Sequence, residues 1–359
     1  MDKSPTKKLT WGLAIATYER RDDLKSCIRL ALNQSRMPAE VVVVDASADF
    51  EGNKAAIEEV VADRVPLTYE KARRPSASLQ RNHCVELSTA DVLFLIDDDS
   101  LLWPETAERV MQIYESDPDE LVAGCATLLA DRPPTPEDSP EPPSDSVDDR
   151  EYVNSYGVRH GGLAQNVRRW LKADDLFVPY DADWPDHDLP DQLKALPIGW
   201  RQLMAGMHMT ARRSVLLKEP FAEDLLDRGG EDSDVSYRIS RHGILVTRLD
   251  AYIHHVGSPA GRVTNLSREQ LYAVVPLMMH RKHSTNRELS AKRQRAFLFR
   301  KAVLGFVKDL RFSQFALPHF RGALAGLKAI KPLLGKALSD DEAARWFENY
   351  QKSVIRMKA

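Results

Sequence analysis

The chain has 359 residues, 43% hydrophobic and 29% charged, the balance of a globular protein with a substantial core, in one large domain with additions or in two. Its formal net charge of −3 hides an uneven distribution: residues 281–336 hold fourteen Lys or Arg against Glu288 and Asp309, which leaves the remainder near about −15. No run reaches about 18 uninterrupted apolar residues, and base-reading motifs are absent, so neither a membrane span nor nucleic-acid recognition is expected.

Leu9 to Thr17 reads as a first strand. Asp22 or Asp23 can cap the helix that follows, which turns Leu24, Ile28 and Leu32 toward a sheet. Glu40 to Asp45 is a second buried strand ending in a carboxylate. A helix over Lys54 to Ala62, a short strand near Leu67–Tyr69 and a helix over Ser78 to Leu87 come next. The run Asp91-Val92-Leu93-Phe94-Leu95-Ile96 then leads into Asp97-Asp98-Asp99. Alternating β and α segments of this kind predict a parallel, doubly wound α/β sheet, and apolar runs without alternation predict strands buried on both faces. Three adjacent carboxylates cannot lie inside such a sheet, so they must emerge at the carboxyl end of the strand, where open α/β folds bind ligands. Their mutual repulsion is relieved either by a hard divalent cation or by solvent around an acidic turn.

Pro104 is expected at the start of a helix with Ala107, Val110, Met111 and Tyr114 inward, and Leu121 to Leu129 reads as a strand. Asp131 to Asp149, with six prolines and seven acidic residues, reads as a mobile loop. Tyr152 to Leu196 has no clear period. Pattern returns at Gly206-Met207-His208-Met209 and at Arg212-Arg213, which could contact phosphate or sit on the surface. Two glycines precede Glu231-Asp232-Ser233-Asp234, which opens a helix with Val235 and Ile239 inward. Strands Ile244–Thr247 and Ala251–His255 follow. The three cysteines, Cys27, Cys84 and Cys125, are too scattered for a disulfide framework, and the N-terminus has no apolar signal segment, so a cytoplasmic protein is expected.

In this order the motifs resemble a family 2 glycosyltransferase of the GT-A fold. The matching pieces are Thr17-Tyr18-Glu19-Arg20, Val43-Val44-Asp45, Arg81-Asn82-His83, Asp97-Asp98-Asp99, Gly206-Met207-His208-Met209, Phe221-Ala222-Glu223, Glu231-Asp232-Ser233-Asp234 with Arg238, and His254 with Ser258-Pro259. The resemblance implies a Rossmann-like, mostly parallel sheet in a catalytic domain over 1–262, with a helical C-terminal region over 263–359. It implies an inverting, metal-dependent enzyme that moves a sugar from a nucleotide-diphosphate sugar to a glycan or lipid-linked glycan in cell-surface polysaccharide synthesis. Thr17, Asp45, Arg81, Asp97 and Asp98 would bind the donor; Asp97, Asp99 and His254 would hold Mg2+ or Mn2+. Asp232 would be the catalytic base, with Asp234 as the fallback, while Trp200 and Glu231 would face the acceptor. His255 is expected to be structural. Two rivals remain at this point: a nucleotidyltransferase, against which the glycine-poor Ala16-Thr17-Tyr18-Glu19-Arg20 argues, and a non-catalytic relative that binds nucleotide sugars or glycans.

Beyond Arg281 the pattern is helical. Phe297, Leu298, Phe299, Val303, Leu304, Phe306, Val307, Leu310, Phe312 and Phe315 are interleaved with Arg300, Lys301, Lys308 and Arg311. This suits an interfacial helix on an anionic membrane surface, at the inner face of the cytoplasmic membrane, or a helical appendage packed on protein.

Overall fold

The apolar runs read from the sequence form adjacent parallel strands: β1 (Trp11–Thr17), β2 (Glu40–Asp45), β3 (Leu67–Lys71) and β4 (Val92–Leu95). The computed structural model describes residues 8–135, 189–201, 203–225, 230–258, 264–283, 287–312, 314–333 and 338–356. The expected mobile loop, from residue 136 on, and most of the unpatterned stretch before Leu196 lie outside the described residues. The described chain divides into two compact units. Of the described residues, 8–135, 189–201, 203–222 and 232–258 belong to one; 223–225, 230–231 and those from 264 on belong to the other.

In the first unit, α1 (Arg21–Leu32), α2 (Phe50–Val61) and α3 (Ala77–Leu87) are the crossovers between the parallel strands. The sheet continues through β5 (Ser100–Leu102), β6 (Val122–Leu129), β7 (Ile198–Arg201), β8 (Met209–Arg212) and β9 (Ile244–His255) in the order β3-β2-β1-β4-β8-β6-β9-β5, with β7 also paired to β9. Six of these nine described strands share one direction; β5, β7 and β8 run against them. The two-residue period of the strands divides the core into two layers. Leu13, Ile15, Val41, Val43 and Phe94 pack with Leu24, Ile28 and Ile57 on one side. Ala14, Val42, Val44, Leu93 and Leu95 pack with Cys84 and Val85 on the other, where Val235 and Ile239 join them. Each such aliphatic side chain, fully buried, contributes roughly 1.5–3 kcal/mol. The same double burial brings the carboxyl ends of β1, β2 and β4 to one rim.

Local chemistry explains where the elements depart from expectation. Helix α2 starts at Phe50 rather than Lys54 because Asp49 Oδ1 accepts from Gly52 N at 3.2 Å and caps the extra turn. Helix α4 (Thr106–Glu115) opens two residues after Pro104, since Glu105 adopts a left-handed φ of 61°. The two strands expected over 244–255 are one, and the polar step between them is absorbed as a register shift opposite Thr127 and Leu128 of β6. Strand β5, three residues directly after the acidic triplet, was too short to carry a period.

Arg212 and Arg213 are structural. Arg212 ends β8 buried, its Nη2 donating at 2.9 Å to the fully buried Asp117 carboxylate and its Nε at 3.0 Å to Val122 O. Arg213 opens the short helix α5 (Arg213–Lys218), with Nε on Val85 O at 2.9 Å. Arg212→Ala would strand Asp117 in the core, so a loss of about 3–5 kcal/mol is expected. Urea unfolding tests this, and a loss below about 1 kcal/mol would contradict it.

The second unit is helical where described: α7 (Asn265–His283), α8 (Arg287–Arg311), α9 (Pro318–Ala329) and α10 (Asp340–Arg356). The turn from α8 to α9 is pinned by Asp309, whose carboxylate accepts from His319 Nδ1 at 2.6 Å and from Phe320 N at 3.0 Å. Among the described residues no helix is long and apolar enough to cross a membrane.

Candidate active site

The acidic triplet leaves β4 at the rim, and each of its three carboxylates meets a different environment. Asp98 is buried. Its Oδ2 accepts from Thr17 Oγ1 at 2.8 Å and its Oδ1 from Arg20 Nη1 at 2.8 Å. Desolvation pushes this carboxyl up to about 6 despite the arginine and the hydroxyl. Asp99 is fully buried but held down at about 2. Desolvation opposes ionisation there, yet His255, the Ser258 N–H and Arg20 together outweigh it. Asp97 is partly open to solvent and takes Arg81 Nη2 on Oδ1 at 2.7 Å.

The cations are as deeply set as the acids. Arg20 Nη1 also lies 3.5 Å from Asp99 Oδ2, and its Nη2 donates to Ser258 O at 3.2 Å, so one guanidinium ties β1, the triplet and the segment after β9 together. That segment turns at Gly257, whose φ of 71° favours glycine, and the turn aims Ser258 N at Asp99 Oδ2, 2.7 Å away. Gln80 on α3 clamps the ends of β1 and β2, donating to Thr17 O at 2.9 Å and to Val44 O at 2.8 Å.

Asp97, Asp99 and His255 form the group suited to a cation among the described residues, with one ligand atom of each within 4.8 Å of the others. His255 Nε2 is 3.2 Å from Asp99 Oδ1 and 3.8 Å from Asp97 Oδ2. Two carboxylates and an imidazole fit Mn2+ or Mg2+, and three acidic groups face two guanidiniums here, which leaves net negative charge to attract one. His254, the histidine expected in this role from the sequence, lies outside this group. Neighbouring residues on a strand point to opposite faces, and His254 Nδ1 sits 3.0 Å from Ala130 O.

Asp45 is at the rim as expected but fully buried. Its carboxylate accepts from Ser47 N at 2.7 Å, Asn53 Nδ2 at 2.9 Å and Tyr69 Oη at 2.8 Å, bonds that fix the turn after β2. Asp232 is the second residue of α6 (Glu231–Ile239) and half-buried. Ser233 N donates to its Oδ1 at 2.8 Å and Gly206 N to its Oδ2 at 3.2 Å. Its neighbour Asp234 is buried against Arg238, 2.8 Å away. A short relay joins Asp232 to the cation group. Gly206 meets Asp232 through its N–H and is packed against Arg81, and Arg81 bonds Asp97. Trp200 lies on β7, a little over a third exposed, and Glu231 is the first residue of α6.

Sequence reasoning assigned no role to Arg20, Gln80, Gly206 or Ser258. Arg20, Gly206 and Ser258 stood inside recognised motifs, which was the available signal; Gln80 carried none.

Residues 13–153 match the model of the family described as Glycosyl transferase family 2. The chain is 29% identical over 122 residues to the glucosyl-dolichyl phosphate glucuronosyltransferase of Haloferax volcanii, covering 33% of this chain and 38% of that protein. It is 24% identical over 107 residues to an uncharacterized glycosyltransferase of Haemophilus influenzae, covering 30% of this chain and 35% of that protein. The alignments thus span little more than a third of either relative. The crystal structure of GalNAc-T7 with UDP, GalNAc and Mn2+ superposes with a TM-score of 0.51 at 15% identity, over 77% of this chain and 48% of that one, a likeness of fold, here the GT-A type.

Proposed function

We propose that the chain, whose residues 13–153 match the family 2 glycosyl transferase model, transfers a sugar from a nucleotide-diphosphate sugar to a hydroxyl of a glycan or lipid-linked glycan, with inversion. The observation that carries this reading is the Asp97–Asp99–His255 group at the carboxyl end of the parallel strands, backed by buried Arg20 and Arg81. Mg2+ or Mn2+ held there would neutralise charge on the departing nucleoside diphosphate. Arg81 is set to face the donor phosphates from its seat on Asp97. Asp98, engaged by Thr17 and Arg20, orients the rim beside the ribose, and Asp45 shapes the turn that lines the base. Asp232 takes the proton of the acceptor hydroxyl as that oxygen bonds the anomeric carbon and the bond to the diphosphate breaks. Its place in the first turn of α6 favours the anion, and its partial exposure leaves it open to an acceptor. Asp234, committed to Arg238, is a poor alternative.

The division into a catalytic part over 1–262 and a basic helical part over 263–359 belongs to the same reading, as does a place in cell-surface polysaccharide synthesis at the inner face of a membrane. The basic, aromatic-rich C-terminal region supports the lipid-linked class of acceptor, as does a relative whose name contains a dolichyl phosphate-linked sugar.

Slow donor hydrolysis, with water as acceptor, tests the reaction without knowledge of the natural acceptor. Metal-dependent release of sugar from one nucleotide class is expected, and by NMR the first anomer to appear should have the configuration opposite to the donor's. Retention would overturn the inverting step. Absence of release from every donor would overturn the transferase reading.

Gly206→Ala probes the relay. A Cβ there would fall 2.4 Å from Arg81 Nη2, so the guanidinium must shift, and its bond to Asp97 is expected to weaken or break. Losing a charge-assisted hydrogen bond at the donor site is expected to raise the donor KM roughly tenfold or more, with little change in unfolding midpoint. An unchanged KM would contradict the relay.

A further inference from the structure

Helix α8 has two apolar stripes. Leu298, Ala302, Gly305 and Asp309 are buried on one side, where Gly305 lies against His319 of α9 and Asp309 is engaged by His319. A second stripe, at the same three- and four-residue spacing but turned away from the first, consists of Ala296, Phe299, Val303, Phe306, Val307 and Leu310. All six are exposed, Phe299 by 66% and Val307 by 57%, and the turn beyond the helix extends the surface with Phe312 at 61% and Phe315 at 81%. A helix that needed only to pack on its own unit would have no use for this second stripe, and isolated exposed aromatics are ordinary whereas a contiguous row is not.

The charges beside the row identify its occupant. At about 100° per residue, Arg295 falls on one edge of the exposed stripe and Arg311 on the other, and both are exposed. The sole acid between them in sequence, Asp309, is turned inward onto His319 and contributes nothing to this face. Exposed Lys308 and Arg321 add to the positive field. We propose that this face of α8, continued by Phe312 and Phe315, seats the chain on an anionic lipid surface, with the apolar row at the acyl boundary and the arginines at the headgroups. A second copy of the chain fits less well. A two-fold contact through the same face would bring arginine edges against arginine edges, a like-charge arrangement that disfavours association. This surface does not depend on the transfer reaction, and it can be tested apart from it.

The test is flotation of the full chain with vesicles of phosphatidylcholine alone and of phosphatidylcholine with phosphatidylglycerol, at low and high salt. Wild type is expected to float with the anionic vesicles at low salt and roughly tenfold less with neutral ones or at high salt. The combined variant Phe299→Ser, Val303→Ser, Val307→Ser should lose binding to both by roughly tenfold or more, with unchanged circular dichroism. Arg295→Gln with Arg311→Gln, both at exposed positions, should abolish the preference for anionic vesicles and provides the test if the serine variant fails to fold. Wild type that does not float, or serine variants that float as well as wild type, would overturn the proposal. It is equally overturned if sedimentation velocity shows the serine variant turning a dimer into monomers while vesicle binding stays unchanged, since the face would then join two copies of the chain.

Discussion

Asp232→Asn should lower the rate of sugar transfer by roughly 10²–10⁴-fold while leaving donor affinity unchanged. The carboxamide oxygen can keep the 2.8 Å bond from Ser233 N at the expense of the longer 3.2 Å bond from Gly206 N, so the side chain stays anchored. What the amide cannot do is take the proton from an attacking hydroxyl. The loss should therefore appear in kcat with KM for the donor intact, the pattern of an interaction made only in the transition state. Normal turnover by this variant would remove Asp232 from the role of base. Asp234→Asn serves as the contrast: it weakens a buried pair with Arg238 and should cost stability first.

Asp99→Asn should weaken metal-dependent donor binding by more than about 100-fold, since a lost ligand costs more than the 10- to 100-fold typical of a supporting residue. Asn is nearly isosteric and can still accept from Ser258 N, so the Arg20–Ser258 side of the site keeps its shape. The charge that draws a cation to the group formed with Asp97 and His255 is gone. The paired histidines sharpen the test. His255→Ala should lose metal response, whereas His254→Ala removes only a contact to Ala130 O and should retain it. Equal effects of the two substitutions would contradict the assignment. Calorimetric titration of Mn2+ in the presence of nucleotide measures both.

The parallel half of the sheet was legible because its strands are buried on both faces: Val41 to Val44 and Val92 to Leu95 can satisfy their burial in few other ways. That burial also forces Asp45 and the triplet out at a common rim, so the location of the candidate site followed from the same residues. The antiparallel additions were harder to read. Strand β5 is three residues long, and β8 pairs with β4 and β6 across more than eighty residues of sequence, a closure that no local pattern announces. The choice between the two histidines was illegible for a related reason. A strand's alternation says that His254 and His255 face apart, but only the pairing of β9 with β5 decides which of them meets Asp99. Arg212 was misjudged because charge alone suggested solvent or phosphate, while its carboxylate partner, Asp117, lies 95 positions away in sequence. Residues such as Gln80 and Gly206 act through backbone contacts and close approach, which composition does not register.

The measurement that bears most directly on a metal-dependent nucleotide-sugar site is the unfolding midpoint with UDP-, GDP- and dTDP-sugars, each with and without Mn2+. Binding to the folded chain alone stabilises it by about 2.7 kcal/mol at a hundredfold excess over Kd, enough to move the midpoint visibly. One nucleotide class should raise it, only with Mn2+ present, and the rise should vanish in Asp99→Asn. A midpoint unmoved by every donor with Mn2+, or raised equally in its absence, would contradict a metal-bridged donor at Asp97, Asp99 and His255.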